Sequence, residues 1–134
     1  MVGLRATSAL VFDLDPARDI LFVVATPGWI TGQSYMISAA LISAVPSVLL
    51  EGSPVAPPDR FASVLARHRV SVLKAGSTFL RVLMTRADAA ALLRTHSLSS
   101  LRLGTFCAEP VRRAATWSLC VGEAHLGRRA LSGR

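Results

Sequence analysis

Apolar residues in this chain gather in short blocks separated by small and polar ones, and the blocks alternate between two kinds. Ile20-Leu-Phe-Val-Val-Ala25 is continuous and rich in branched side chains, as expected of a strand buried on both faces of a parallel sheet. Thr26-Pro-Gly28 turns the chain. Ser34 to Ser43 is small-residue-rich and apolar all round, which predicts a buried helix, ended by Ala44 to Pro46. Ser47-Val-Leu-Leu-Glu51 predicts the second strand. Gly52 to Pro58 is a loop by composition; Pro57 and Pro58 suit a helix start, and Asp59 adds negative charge to its first turn. Phe61, Val64, Leu65 and His68 then fall at i, i+3, i+4 and i+7, one face of an amphipathic helix. Val70 to Lys74 predicts a third strand, Ala75-Gly-Ser-Thr78 a small polar loop, and Phe79 to Met84 a helix. A further helix is predicted from Asp88 to Thr95, capped by Thr85 or Asp88, and a fourth strand from Leu101 to Phe106, closed by Glu109-Pro110. Leu10 to Pro16 reads only as a short acid-tipped segment, and Arg112 to Leu119 as a weak helix.

Strands that alternate with helices argue for an α/β fold with a parallel sheet and right-handed crossovers. In such sheets the loops after the carboxyl ends of the strands gather on one edge. Gly28–Tyr35, Ala75–Thr78 and Thr105–Pro110 would meet there. The first carries two glycines, a tryptophan and three hydroxyls, so backbone can approach a ligand closely. Trp29 by itself is more often a core residue than a ligand wall.

Composition changes this picture in two ways. Hydrophobic residues make up 51% of 134 and mean hydropathy is +0.47. That is high for a small single domain and implies either a membrane segment or apolar faces that belong against missing neighbours. From Ile20 to Leu50 no side chain is charged, and a small membrane-associated protein anchored through that run is one alternative. Against it, Pro27, Gly28, Gly32 and Pro46 cut the run into pieces shorter than the ~20 residues of a spanning helix. Asp19 and Glu51 flank it where Lys/Arg and aromatic anchors would be expected. The formal net charge of +7 raises nucleic-acid binding, yet the arginines are scattered and pair only at Arg112-Arg113 and Arg128-Arg129. No basic stripe forms, so no nucleic-acid partner is expected.

Cys107 and Cys120 show neither CxxC spacing nor histidines at ligand intervals, so neither a zinc site nor a disulfide framework is indicated. They fit a reducing compartment, cytoplasmic or an organellar matrix. Cys107 reads as a small buried side chain, His68, His96 and His125 as structural or surface residues, and Arg81, on an apolar helix, as a paired core charge ahead of a rim contact.

Taken in order, several short motifs resemble the AMP-forming acetyl-CoA synthetases of the adenylate-forming acyl-CoA synthetase superfamily. They are Val11-Phe-Asp13 with Pro16, Gly28-Trp-Ile-Thr-Gly32 with Ser34-Tyr35, Val48-Leu-Leu-Glu-Gly52 with Pro54, and Arg67-His-Arg-Val70. Thr78 with Arg81 and Leu83-Met84, Leu98-Ser-Ser-Leu-Arg-Leu103 and Glu109-Pro110 follow. The resemblance covers about residues 10 to 112. It implies ligation of a short-chain carboxylate, acetate or another, to coenzyme A through an acyl-adenylate made from ATP, with Mg2+ accompanying ATP in full-length members. It further implies that Ile30 and Cys107 wall the acyl pocket, that Thr31 lies against coenzyme A, and that Ala108, Glu109 and Pro110 pack on the nucleotide's adenine.

Departures from the family pattern bear on specificity. Thr26-Pro27 stands where an acidic residue is usual, Ala75-Gly-Ser-Thr78 where Thr-Ala-Pro-Thr is usual, and Cys107-Ala108 in place of Val-Gly. Val55 occupies a position where a polar coenzyme A contact is expected. No Gly/Ser/Thr-rich phosphate loop ending in Lys-Gly is present, nor the small domain that carries the adenylation lysine; Lys74, the single lysine, matches nothing catalytic. The expectation is therefore a partial AMP-dependent synthetase domain over residues 1–111, a divergent Arg/Gly-rich tail over 112–134, and no catalytic residue in the chain. A non-catalytic protein that reuses this subdomain to bind a partner or nucleotide is the remaining alternative.

Overall fold

The computed structural model describes residues 2–86 and 88–107. Helix α1 covers Val2–Leu10. Strand β1, Leu21–Val24, leads through a turn into α2, which winds as a π-helix over Gly32–Ala39 and as an α-helix over Ala40–Ser43. Then come β2 (Ser47–Val48), α3 (Arg60–Arg67), β3 (Val72–Gly76), α4 (Ser77–Met84), α5 (Ala89–Arg94) and β4 (Leu103–Cys107). Among the described residues the four strands form one parallel sheet in the order β2-β1-β3-β4. The expected α/β class holds.

Each face of the sheet carries its own apolar layer. On one side, Met36 and Ala40 of α2 pack with Leu21, Val23, Val45 and Val72. On the other, Phe61 and Leu65 of α3, Leu83 of α4 and Leu93 of α5 pack with Phe22 and Leu73. Strand residues of alternating parity serve opposite faces. That is why β1 reads as an unbroken apolar run in the sequence, and β3 does so but for Lys74. Phe22, Phe61 and Phe79 stack in sequence through the second layer, at centroid separations of 6.3 and 5.0 Å.

Three sequence expectations shift. Helix α1 had no counterpart, because its apolar residues Val2, Leu4 and Leu10 follow no helical period and Val2 and Leu10 stay exposed. Ala75–Thr78 is not a loop: β3 runs on to Gly76, paired with Cys107, and α4 begins at the next residue. Gly76, extended at φ −75° and ψ 148°, makes this turn without a linker. Val70 and Ser71 precede β3, and β4 starts at Leu103. Both strands begin one residue past a side chain, Ser71 or Arg102, that bonds Asp19 in a polar junction beneath the sheet.

That junction sits at the amino ends of the strands. Asp19, its side chain fully buried, accepts from Arg102 Nε at 2.8 Å and Nη2 at 2.6 Å, and from Ser71 Oγ at 2.7 Å. Ser71 Oγ also accepts from the Ile20 amide at 2.9 Å, and the Asp15 amide donates to Asp19 at 3.0 Å. Arg102 Nη2 reaches the carbonyls of Phe12 and Asp13 as well. Side chains at 71 and 102 thus meet in the junction, while their backbones still bond across: the Ser71 amide donates to the Ile20 carbonyl at 3.0 Å and the Arg102 amide to the Ser71 carbonyl at 2.9 Å.

Ile20–Leu50 divides among β1, a turn, α2 and β2. Among the described residues no helix is long and apolar enough to cross a membrane.

Candidate functional site

The strand order reverses direction between β1 and β3. From β1 the chain crosses by α2 to β2 on one side, while β3 leads through α4 and α5 to β4 on the other. Helices leave the two central strands toward opposite faces, which opens a crevice at the carboxyl edge; α/β proteins bind ligands in that position.

Residues from three elements meet there on the α2 face. The turn after β1 is closed by the Trp29 amide donating to the Thr26 carbonyl at 3.1 Å, and α2 continues as the Gln33 amide donates to Trp29 at 3.0 Å. Gly32 is required in this fold: a Cβ there would stand 2.2 Å from the Thr26 carbonyl oxygen. This close approach seats Thr31 at the head of α2, its Oγ1 4.0 Å from Cys107 Sγ at the end of β4. Cys107 is held in turn by Ser77 Oγ, which donates to its carbonyl at 3.1 Å, while its thiol faces the Ala75 carbonyl at 3.8 Å. Positions 31, 77 and 107 so form one cluster.

Lys74 completes it from beneath. As a β3 residue of the same parity as Val72, it faces α2 and is only 5% exposed. Its Nζ lies 4.2 Å from the Tyr35 ring centroid and 5.4 Å from that of Phe12. Burial lowers its pKa, and the Cys107 thiol opposes that shift. Cation–π contact offsets part of the desolvation of a buried ammonium.

Of the expected site residues, Thr31 and Cys107 come together. Ile30 is adjacent in the turn but 70% exposed, as is Trp29 at 65%; the described residues leave both without an apolar wall to complete. Ala108, Glu109 and Pro110 lie outside the described residues, with the 112–134 tail and Cys120. Sequence reasoning assigned no role to Tyr35 and Ser77 and set Lys74 aside as matching nothing catalytic. Tyr35 and Ser77 stood inside quoted motifs, and the chain's single lysine within an otherwise apolar strand was the remaining signal. His68 is exposed and His96 half-buried, and Arg81 is exposed on α4 rather than within the core. Among the described residues no three His, Cys, Asp or Glu side chains gather to hold a metal ion.

A parallel four-stranded sheet with helices on both faces and a small-residue turn at its strand reversal makes this an α/β domain. The chain belongs to the AMP-binding enzyme family, which it matches over residues 2–126. It is 38% identical over 119 residues to an acetyl-coenzyme A synthetase of Marinomonas sp. (strain MWYL1), covering 88% of this chain and 18% of that protein. It is likewise 38% identical over 106 residues to the acetyl-coenzyme A synthetase of Caulobacter vibrioides, covering 78% and 16%. Among solved structures it resembles acetoacetyl-CoA synthetase from Streptomyces lividans, with a TM-score of 0.74 at 19% identity over 88% of this chain and 18% of that one. An anthranilate CoA ligase in complex with anthranoyl-AMP gives a TM-score of 0.71 at 20% identity, over 88% and 22%. At those identities the structural likeness shows the fold. The chain spans less than a fifth of the length of these curated relatives.

Proposed function

We propose that this chain forms the acyl side of the site in an AMP-forming acyl-CoA synthetase and cannot catalyse the ligation by itself. In the reaction, a short-chain carboxylate attacks the α-phosphorus of ATP and expels pyrophosphate. The thiol of coenzyme A then displaces AMP from the acyl-adenylate. On this reading Ile30 and Cys107 wall the acyl group, Thr31 lies where coenzyme A approaches, and Ala108, Glu109 and Pro110 meet the adenine. Residues 1–111 would carry the synthetase segment, and 112–134 would lie outside it. Phosphate neutralisation, which dominates adenylation chemistry, would come from parts of the enzyme beyond this segment.

The single observation that carries this reading is the 4.0 Å approach of Thr31 to Cys107 at the strand reversal. Two positions far apart in sequence, one expected by resemblance to wall the acyl group and the other to lie against coenzyme A, stand side by side. A small wall of this kind discriminates acids by size only modestly, about 1–3 kcal/mol per methylene. Thermal unfolding of the purified chain with a non-hydrolysable acyl-adenylate mimic tests the proposal. At one hundred times Kd, a ligand bound only by the folded state adds about 2.7 kcal/mol. A raised Tm that Glu109→Ala abolishes is expected, with no pyrophosphate release from ATP and acetate. A melt blind to the mimic would sink the site reading, and measurable pyrophosphate release would sink the claim of inactivity.

A further inference from the structure

Ser77 opens α4 and is only 1% exposed. Its Oγ donates at 3.1 Å to the carbonyl of Cys107, 30 positions further along the chain. The ladder between β3 and β4 stops one residue earlier, with Gly76 opposite Cys107, because the chain turns into α4 at Ser77. A side-chain hydroxyl thus carries the junction of the two strands one step past their last backbone pair. Among the described residues β4 has a neighbour on one side only, and all five of its residues are half-buried. The end of such a strand is weakly restrained, so a single added hydrogen bond counts for more there than inside the sheet. Cys107 also faces the Ala75 carbonyl and Thr31 through its thiol, at 3.8 and 4.0 Å. What fixes the main chain at 107 therefore fixes the spacing between Cys107 and Thr31.

We propose that Ser77 is a positioning residue of the acyl site, holding the main chain at Cys107 so that the wall this side chain presents cannot yield. The inference rests on the acyl-site reading above, in which Cys107 walls the acyl group. Ser77 touches no substrate on this account and acts through Cys107. An apolar wall sorts acids by a methylene only while it is held to within about 0.5 Å. A carbonyl released from its buried donor lets the strand end shift, and a wall that moves accepts several acid lengths alike.

The full chain is titrated with sulfamoyl-adenosine mimics of the acyl-adenylate carrying acetyl, propionyl or butyryl groups, and Kd is measured for each by calorimetry. Cysteine labelled with 13C at the carbonyl carbon reports the hydrogen bond itself. The chain has two cysteines, and the resonance lost in Cys107→Ser is that of Cys107. In the wild type the best and worst mimics should differ at least about tenfold, the effect of a methylene in an apolar pocket. Ser77→Ala should shift the Cys107 carbonyl resonance and compress that ratio to about threefold or less. Ser77→Thr, which keeps the hydroxyl, should restore it. Should the alanine variant not fold, Ser77→Cys, whose thiol is a weak donor, takes its place with the same expected compression. An equal loss of affinity for all three mimics, the ratio unchanged, would mark a merely structural serine and overturn the proposal. A Cys107 resonance that Ser77→Ala leaves in place would overturn it too, as would a wild type that binds all three mimics alike, although the acyl site would then stand. If the wild type binds none of them, the acyl-site reading falls and this proposal with it.

Discussion

Asp19 shows how much one side chain can fix. Burial pushes its carboxyl pKa up, the largest single influence, but hydrogen bonds from Arg102, Ser71 and the Asp15 amide, with the Arg102 charge, outweigh it and hold the pKa at about 2. A carboxyl held below its unfolded value of 3.8 binds protons less readily when folded. Its stabilisation is therefore complete above the unfolded pKa and is lost as pH falls through 2. The shift corresponds to about 2 kcal/mol. Urea denaturation from pH 7 to 2 should show that loss in the wild type and a flatter acid limb in Asp19→Asn. Parallel acid limbs would remove Asp19 from the account. Removing the partner should cost more: Arg102→Met would strand a buried carboxylate, at about 3–5 kcal/mol. None of this was legible in the sequence. Arg102 appeared there within a family motif, and Asp19 as a flank to an apolar run. Partners separated by 83 positions leave no local periodicity. Lys74 escaped for a related reason, since strand position alone does not say which aromatic rings will lie over a side chain.

At the level of elements the sequence was a good guide where burial dictates pattern. Strand β1 and the second apolar run of α2 lie where continuous hydrophobicity placed them, and α3 follows from its Phe61–Leu65 spacing. Errors arose where a single residue turns the chain, as at Gly76, or where polar contacts override the pattern, as at Ser71 and Arg102. The end of α2 shows a remaining strain. Ala44 adopts φ 52°, with its amide bonded to Ala40 and Leu41, and Val45 returns to the Ala40 carbonyl at 3.0 Å. This left-handed closure normally takes glycine, and an L-residue there costs about 1 kcal/mol. Ala44→Gly should accordingly raise the unfolding free energy by up to about 1 kcal/mol, measured by chemical denaturation with unchanged m-value. A loss of stability would show that entropy of the unfolded chain dominates at this site.

The whole molecule leaves apolar surface open in several places. Leu10 at 84% and Leu41 at 75% exposure stand on α1 and α2, which pack together, and Trp29 and Ile30 cap the carboxyl edge. Among the described residues the edge strands of the sheet are β2, only two residues long, and β4. Surface of that kind marks contact sites, consistent with a chain that spans less than a fifth of its curated relatives. Sedimentation velocity should detect association that grows with concentration, reduced several-fold when Leu10 and Leu41 are both replaced by lysine (an order-of-magnitude expectation). A monomer at every concentration would contradict it. The Asp19 junction also bears on how the chain is made. Asp19 leaves the ribosome long before Arg102, so β1, β2 and β3 can gather while the carboxylate between them still lacks its guanidinium. Arrival of β4 is then the step that locks the sheet, and non-local pairing of this sort is slow. Until residue 102 has been synthesised, the nascent chain would stay loose and open to chaperones and proteases, a checkpoint written into the position of one arginine.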